Sequence, residues 1–220
     1  MRLSAILVLL LINVTSTFAQ NNAVSANEAY VKVITERANK IVASLKIDNA
    51  SKAEKVSAIV RDQYSNLNDV YAARDLAIKV IKEKYTEKSV REVALAKENA
   101  NTEVKTVKLH HEYLRKLAKH LNAQQIEGIK DGMTYGVLPL TFKAYQEEIL
   151  TLTDEQKKQI LTWLTEAREK AMDAESSDKK HAMFGKYKGK INNYLSAEGY
   201  DLKKEGIAWQ KRIEAAKTNH

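Results

Sequence analysis

The first 127 residues contain neither glycine nor proline, and this absence constrains the fold more than any other feature of the sequence. All seven glycines and the single proline lie between residues 128 and 206. Glycine and proline are the residues that most strongly interrupt regular structure. The first half of the chain can therefore form long unbroken helices, whereas the second half is expected to be divided into shorter elements.

The spacing of apolar residues in the first half predicts these long helices. From Ser51 to Tyr85 apolar residues recur at spacings of three, four and seven, and Ser51 with Glu54 has the spacing of a capping box. From there to Leu121 two seams repeat every seven residues, which is typical of a coiled-coil-like helix. The seams are Val93, Ala100, Val107, Leu114, Leu121 and Val90, Lys97, Val104, His111, Ala118.

These patterns predict an all-α fold, because no segment alternates with period two for long enough to form a strand. We expect a helical bundle with a long antiparallel helical hairpin, turning near Thr86, followed by several shorter helices. A shorter helix over about 28–45 packs against the hairpin. After Leu121 we expect a helix ending at a left-handed Gly132, a loop over 133–142, and helices over 143–150, 153–174, 177–198 and 201–216. Thr153 is expected to be the N-cap of the helix over 153–174. Residues 20–220 form one domain, with a long-helix part over 20–121 and a shorter-helix part over 122–220.

The N-terminus has the three-part pattern of a secretory signal peptide over residues 1–19. A basic start at Arg2 precedes the apolar stretch AILVLLLINV, and TSTFA provides small residues for cleavage after Ala19. The apolar stretch is too short to span a bilayer comfortably, so we expect a periplasmic protein with no membrane attachment after cleavage. The chain has no cysteine, which excludes a lipid-anchored lipoprotein, disulfides and thiolate zinc sites.

The formal net charge of +8 bears on the choice of partner. An exported protein meets little nucleic acid, and the lysines alternate with glutamates as on solvated helix faces, so we expect no nucleic-acid partner. The basic excess is compatible with acidic ligands such as uronic-acid sugars. No histidine pair has the spacing of a metal site on a helix, and no glycine-rich phosphate loop or serine elbow is present. We therefore expect neither a metal nor a cofactor, and the pattern leaves the oligomeric state open.

The stretch KHAMFGKYKGKINNYLS, residues 180–196, is the most unusual helix in the sequence. One face carries the apolar residues Phe184, Tyr187, Ile191, Tyr194 and Leu195. Another face carries His181, Gly185, Lys188, Gly189, Asn192 and Ser196. Glycine inside a helix costs about 1 kcal/mol relative to alanine, so two glycines on one face require a compensating gain. Either another backbone packs closely there, or a polar ligand lies across the groove.

Three further residue groups are candidates for a site. Asp131 is expected at a helix C-terminus, where the macrodipole disfavours an anion, and Tyr135 follows in a bend between two glycines. Arg168 falls inside an apolar stripe, where it either pairs with a carboxylate, from Asp131 or from an acidic group of a ligand, or extends its guanidinium to the edge of the stripe. Trp163 on the same helix either packs in the core or stacks on a sugar ring.

The segment over about 115–212 resembles an uncharacterised family of exported Bacteroidetes proteins. The motifs DGMTYG and KH..FGKYKGKINNYLS..GYD carry the resemblance. The family is described as sugar-binding and accompanies polysaccharide-utilisation genes, and it transfers no established catalytic residue. The resemblance implies a role in ligand binding for Asp131, Tyr135, Arg168, His181, Lys186, Lys188 and Asn192.

We therefore expect a carbohydrate-binding protein that acts on acidic oligosaccharides. Tyr135, Trp163 or Tyr187 would stack on rings, Arg168, His181, Lys186 and Lys188 would meet carboxylates, and Asp131 and Asn192 would bind hydroxyls. The first alternative is an enzyme on the same sugars, with Asp131, Tyr135 and His181 as acid or base candidates. The second is a structural protein or a chaperone, because the helix starts LNAQQIEGI and LTDEQKKQI resemble those of Spy-type envelope chaperones.

Overall fold

The structure is a computed structural model that describes residues 13–218, with side chains from residue 27 onward. Over this range it contains eight helices and no strand, which confirms the all-α prediction. They are α1 (Asn13–Ala43), α2 (Ala50–Lys84), α3 (Lys88–Ala118), α4 (Ala123–Met133), α5 (Val137–Glu148), α6 (Asp154–Met172), α7 (Ser177–Ala197) and α8 (Leu202–Thr218).

The predicted signal peptide, residues 1–19, falls outside the described side chains, and its cleavage stays a prediction. Among the described residues, no helix combines the length and the hydropathy needed to cross a bilayer.

The helices α2 and α3 form the expected antiparallel hairpin, because only residues 85–87 separate two long helices that pack along each other. The start of α2 differs from the prediction. Asn49 is the N-cap, and its Oδ1 accepts a hydrogen bond of 2.8 Å from the backbone N–H of Lys52. The predicted capping box of Ser51 and Glu54 is therefore wrong, because Asn49 already occupies the capping position and Ser51 lies in the first turn.

The buried side of α3 also differs from the predicted seam. Its buried residues are Thr102, Thr106, Tyr113 and Leu117. Two seam residues, Val93 and Val104, are instead 71% and 70% exposed. Threonine tolerates the buried side because its hydroxyl is satisfied within the helix: Oγ1 of Thr102 donates to the Glu98 carbonyl at 2.9 Å, which leaves the methyl group for packing. The seven-residue pattern predicts the helix correctly and most of its buried side wrongly.

The bend between α4 and α5 is tighter than expected. The loop predicted over 133–142 is wrong, because α5 already begins at Val137. Tyr135 and Gly136 are both left-handed, with φ of 60° and 67°, and together they reverse the chain. Pro139 lies in the first turn of α5, where its missing N–H would have no helical partner in any case.

Gly132 does not have the left-handed conformation predicted for it, because α4 continues through it to Met133. A Cβ at position 132 would lie 2.8 Å from Cγ2 of Ile41 in α1. Glycine at this position therefore permits α1 and α4 to approach each other closely.

Two apolar clusters form the core, and α6 takes part in both. The first cluster joins α1, α2, α3 and α4, and it includes Met172 from the end of α6. The second cluster joins α5, α6 and α7, with Leu202 of α8 packed against it, and it includes Ile160 and Leu164 of α6. The N-cap Thr153 fixes the start of α6 in a capping box with Gln156, as predicted for Thr153. The helix α6 therefore positions the two halves of the molecule relative to each other.

Two helical glycines, Gly185 and Gly132, are expected to respond in opposite ways to substitution by alanine. A Cβ at Gly185 meets no other atom within 4 Å, whereas one at Gly132 meets Ile41. Gly185→Ala should raise the free energy of unfolding by about 0.5–1 kcal/mol, because alanine is the better helix former. Gly132→Ala should lower it, because the added methyl group overlaps Ile41. Urea denaturation followed by circular dichroism measures both changes, and destabilisation by Gly185→Ala would contradict the open surroundings of this glycine.

Candidate functional site

The nine predicted site residues lie in four places, and the structure does not gather them into one pocket. Asp131 and Arg168 form an ion pair in the interior. Tyr135 and His181 stack on each other at the surface. Lys188 and Asn192 line a cleft between α5, α7 and α8. The remaining three, Trp163, Lys186 and Tyr187, lie along the outer side of α6 and α7.

Arg168 is the centre of a charged cluster inside the molecule. Its side chain is 3% exposed, and Nη1 donates to Oδ1 of Asp131 at 2.7 Å. Nη2 donates to Glu127 and, at 3.2 Å, to Glu169. Burial alone would raise the pKa of the Glu127 carboxyl, but hydrogen bonds from Arg168 and Lys130 lower it overall. The guanidinium is therefore surrounded by carboxylates of the protein itself, and of the two partners considered for Arg168, Asp131 is the one present.

His110 extends this cluster from α6 to the hairpin. Its Nδ1 lies 2.7 Å from Oδ2 of Asp173, and its Nε2 lies 3.5 Å from Oε2 of Glu169. Hydrogen bonds with these two carboxylates raise the pKa of His110 to about 9, against the effect of burial. Burial would raise the pKa of Glu169, but the contact with His110 and the charge of Lys130 lower it to about 2. His110 is therefore a protonated, hydrogen-bonded member of a structural network at neutral pH.

Lys180 fixes the start of α7 to the end of α6. Its Nζ donates to the carbonyl of Ala171 at 2.9 Å and to that of Met172 at 2.6 Å. These carbonyls belong to the last turn of α6, where no helical N–H remains to pair with them and the helix dipole favours a cation. Burial lowers the pKa of Lys180 to about 8. Lys180, the first residue of the stretch over 180–196, therefore stabilises the junction between α6 and α7.

A polar cleft lies where α5, α7 and α8 meet, with a volume of about 410 Å³. It is lined by Leu140, Thr141, Ala144, Tyr145, Glu148, Lys188, Asn192, Leu202 and Trp209. We call it the Trp209 cleft. The half-buried indole of Trp209 and two leucines supply apolar surface, and the other side chains supply hydroxyl, carboxylate, ammonium and amide groups. Apolar surface combined with a few convergent polar groups is typical of a small-molecule site.

Polar contacts fix the side chains of the Trp209 cleft. The hydroxyl of Tyr145 donates to Oδ1 of Asn192 at 2.6 Å, which connects α5 to α7. Burial raises the pKa of Tyr145 to about 12, so the hydroxyl keeps its proton. Burial and the nearby Glu205 raise the pKa of the Glu148 carboxyl, while Lys188 lowers it in part. Arg212 of α8 donates to the Glu148 backbone carbonyl at 3.0 Å and so joins α8 to the end of α5.

Sequence reasoning found two residues of this cleft and missed the others. Lys188 and Asn192 were predicted from the polar face of α7. Tyr145 and Glu148 lie on α5, whose first half was predicted to be a loop, so the spacing of its inner face was not visible. Trp209 lies on α8, and no local pattern relates that helix to α7. Only the tertiary packing of three separate helices brings these side chains together.

The Tyr135–His181 stack lies at the other end of the same two helices. The ring centroids are 5.4 Å apart with an interplanar angle of 12°, and Tyr135 is 42% exposed. From this stack, α5 leads to Tyr145 and α7 leads to Asn192, where the two helices meet again. At 1.5 Å per residue, about 15 Å separates the stack from the Trp209 cleft. The bend and the polar helix therefore meet at this stack, and the ligand-binding role of Tyr135 and His181 stays a prediction.

The glycines of α7 lie on the exposed side between these features. A Cβ at Gly185 or Gly189 would meet nothing within 4 Å. The interpretation of these glycines as a close helix-packing surface is therefore wrong, because no backbone approaches them in the described chain. Because these glycines have no side chains, they leave a shallow depression on the surface of α7 beside Lys188 and Asn192.

The outer side of α6 and α7 is basic and aromatic. Lys190 lies over the ring of Trp163 at 4.4 Å, and Trp163 packs edge-on against Tyr194 with a centroid distance of 5.3 Å. Tyr187 is buried in the second core cluster. A shallow depression of about 550 Å³ on this side includes Lys186 and Lys190. Trp163 and Tyr187 therefore belong mainly to packing, and the lysines provide the exposed charge.

No group of three or more histidine, cysteine, aspartate or glutamate side chains within the described range has a geometry that could hold a metal ion.

Residues 31–215 match a family whose description reads "Protein of unknown function (DUF3826)". The match includes all four groups of predicted site residues, and it confirms an uncharacterised family. That this family consists of exported Bacteroidetes proteins, and that it binds sugars, stay predictions. No curated protein matches the chain.

The charged cluster predicts a pH dependence of stability below pH 8. The folded-state pKa of His110, about 9, is above its ordinary value of 6.5, so the stability it contributes is complete below 6.5 and is lost as the pH rises through 9. The free energy of unfolding should fall by about 1–2 kcal/mol between pH 6 and pH 8. Lys180, with its pKa lowered to about 8, adds an opposite trend that is small below that pH and grows above it. Urea denaturation at several pH values measures the fall.

The matched control is the neighbouring exposed histidine. His110→Asn should remove most of the fall between pH 6 and pH 8, whereas His111→Asn should leave it unchanged. An equal pH dependence in His110→Asn and in the parent protein would contradict the assignment to His110.

Proposed function

The chain belongs to the family described as protein of unknown function (DUF3826), and we propose that it is an exported periplasmic protein that binds oligosaccharides during polysaccharide utilisation. The Trp209 cleft is the binding site in this proposal. The observation that carries the proposal is the meeting of an aromatic ring, a hydroxyl, an amide, a carboxylate and an ammonium group around one open cleft.

The chemistry of the Trp209 cleft suits a sugar ring. A pyranose has apolar C–H faces and a rim of hydroxyl groups, so it binds where aromatic surface lies beside fixed donors and acceptors. Trp209 provides the ring surface. Asn192 and Glu148 provide an amide and a carboxylate, which together can donate to and accept from neighbouring hydroxyls. Because Tyr145 holds Asn192 through its 2.6 Å hydrogen bond, the amide has little rotational freedom to lose on binding.

Lysines favour an acidic sugar over a neutral one. Lys188 lies in the cleft, whereas Lys186 and Lys190 lie on the outer side of α6 and α7. An ammonium group next to the cleft attracts a uronate carboxylate by charge as well as by hydrogen bonding. Asp131 and Arg168 are not part of this proposal, because they already bind each other in the interior. Tyr135 and His181 supply a further aromatic surface for a ligand longer than one ring.

An enzyme acting on the same sugars is the second candidate, and Glu148 favours it. Burial and Glu205 raise the pKa of Glu148, and a carboxyl group that keeps its proton at higher pH can act as a general acid. Glu205 is then the neighbouring carboxylate. Hydrolysis by a carboxylate pair needs one protonated and one ionised member on either side of the scissile bond. Binding alone needs no such pair, so a product assay separates the two functions.

Binding should depend on Trp209. Isothermal titration calorimetry with oligogalacturonate and with a neutral oligosaccharide of equal length measures the affinity. Trp209→Ala should weaken binding about tenfold or more, because the stacking of a sugar ring on an indole contributes more than about 1 kcal/mol to the free energy of binding. Trp163→Ala is the matched control, because that indole packs on the outer side of α6 and α7. Binding that depends on Trp163 and not on Trp209 would place the ligand on the other surface.

The lysines provide the second comparison. Lys188→Gln should reduce the preference for oligogalacturonate over the neutral sugar, whereas Lys158→Gln, an exposed residue of α6, should not. The absence of heat with either sugar at millimolar ligand would count against the proposed function.

Turnover is tested with pectic fragments and chromatography of the products. If the protein is a binder only, the fragments remain intact. If it hydrolyses them, shorter products form, and Glu148→Gln should abolish their formation while ligand still binds, because the amide cannot donate the proton that the leaving group needs. Product formation that is equal in Glu148→Gln and in the parent would exclude Glu148 as the acid.

A further inference from the structure

An apolar stripe on α3 faces away from the rest of the hairpin. Val90, Val93, Val104 and Val107 are between 42% and 71% exposed, and Ala100 between them is exposed as well. At 100° per residue, the stripe is centred about 160° from the buried residues Thr102, Thr106, Tyr113 and Leu117, so it lies on the opposite side of the helix. The contact between α2 and α3 therefore leaves it uncovered.

The stripe has the spacing of a coiled-coil seam. Val90, Lys97 and Val104 occupy the first core position of successive heptads, and Val93, Ala100 and Val107 occupy the second. Alternating steps of three and four residues keep these positions on one side of a helix that pairs with another helix of the same pitch. Thus the heptad positions over 90–107 have no partner within the described chain, although the helix itself is paired through a different face.

We propose that this stripe, residues 90–107 of α3, binds the same stripe of a second copy of the chain in a parallel, two-fold symmetric dimer. The valines at the first core position favour two-stranded pairing, because β-branched residues pack well there in parallel dimers. A two-fold axis along the seam brings each residue of the stripe opposite its own copy. This inference is independent of the proposed function.

Charge complementarity supports the parallel orientation. Glu103 and Lys108 occupy the two positions that flank the core, and they are five residues apart. In a parallel pair, a residue at the first flanking position lies beside the residue five places further along in the other helix. Glu103 therefore lies beside Lys108 of the partner subunit, and the two-fold axis repeats the pair. An antiparallel arrangement brings like flanking positions together and loses both pairs.

Lys97 fits the same arrangement. A single lysine at the first core position lowers the stability of a coiled coil, but it also restricts the register and the oligomeric state. In the parallel register both copies of Lys97 lie at the same level, where each long side chain can extend its ammonium group to water. The dimer is therefore expected to form reversibly, with an affinity limited by a short seam.

Cysteine cross-linking tests orientation and register directly, because the chain has no cysteine of its own. Ala100→Cys places two thiols opposite each other across the proposed axis, where a disulfide between them becomes possible. Under mild oxidation this variant should form a covalent dimer rapidly. Ala182→Cys, an exposed alanine-to-cysteine change on α7, is the matched control. Cross-linking of Ala100→Cys that is no faster than that of Ala182→Cys would overturn the proposal.

A charge-reversal cycle tests the same contact without cysteine. Sedimentation velocity over a concentration series should show a reversible dimer of the parent chain. Glu103→Lys and Lys108→Glu should each weaken it by about tenfold, because two attractive pairs become repulsive, and the combined variant should regain most of the affinity. Circular dichroism confirms that each variant is folded. A parent chain that stays monomeric, or a combined variant no better than either single one, would overturn the parallel dimer.

Discussion

The contact between Arg168 and its carboxylates determines how the two halves of the molecule are joined. Arg168 lies on α6 and is almost fully buried, while its partners Asp131 and Glu127 lie on α4. A buried guanidinium is stable only when carboxylates and hydrogen bonds replace its lost hydration. The position of α4 on α6 is therefore strongly constrained. Because α4 also packs on α1 through Gly132, one ion pair relates the first core cluster to the second.

The Trp209 cleft depends on this junction, although it lies at a distance from it. The bend at Tyr135 and Gly136 follows α4 directly, so the position of α4 determines where α5 begins. Lys180 connects α7 to the last turn of α6. The α5 and α7 walls of the Trp209 cleft are thus attached to elements whose positions the charged cluster fixes. A rigid scaffold of this kind can present polar side chains with little loss of conformational entropy on binding.

The sequence predicts those parts of the structure that depend on neighbouring residues. The N-cap Thr153 and the buried side of α7 follow from capping chemistry and from helical periodicity. The need of Arg168 for a carboxylate follows from its place in an apolar stripe, but the choice of Asp131 as the partner does not. The Trp209 cleft does not, because Trp209, Tyr145 and Asn192 become neighbours only through the packing of α8 and α5. The prediction for the buried side of α3 was wrong because it followed the two apolar seams, whereas the hairpin buries threonines of the same helix.

The hydrogen bond between Tyr145 and Asn192 has a consequence for selectivity. The tyrosine keeps its proton and donates a hydrogen bond to Oδ1 of Asn192, which uses one of the two lone pairs of the amide oxygen. The free end of Asn192 is then its NH₂ group, which can only donate. Lys188 beside it also only donates, so the α7 wall of the cleft presents hydrogen-bond donors; under the proposed function this wall would favour ring oxygens, carbonyls and, above all, an ionised acid group of the ligand.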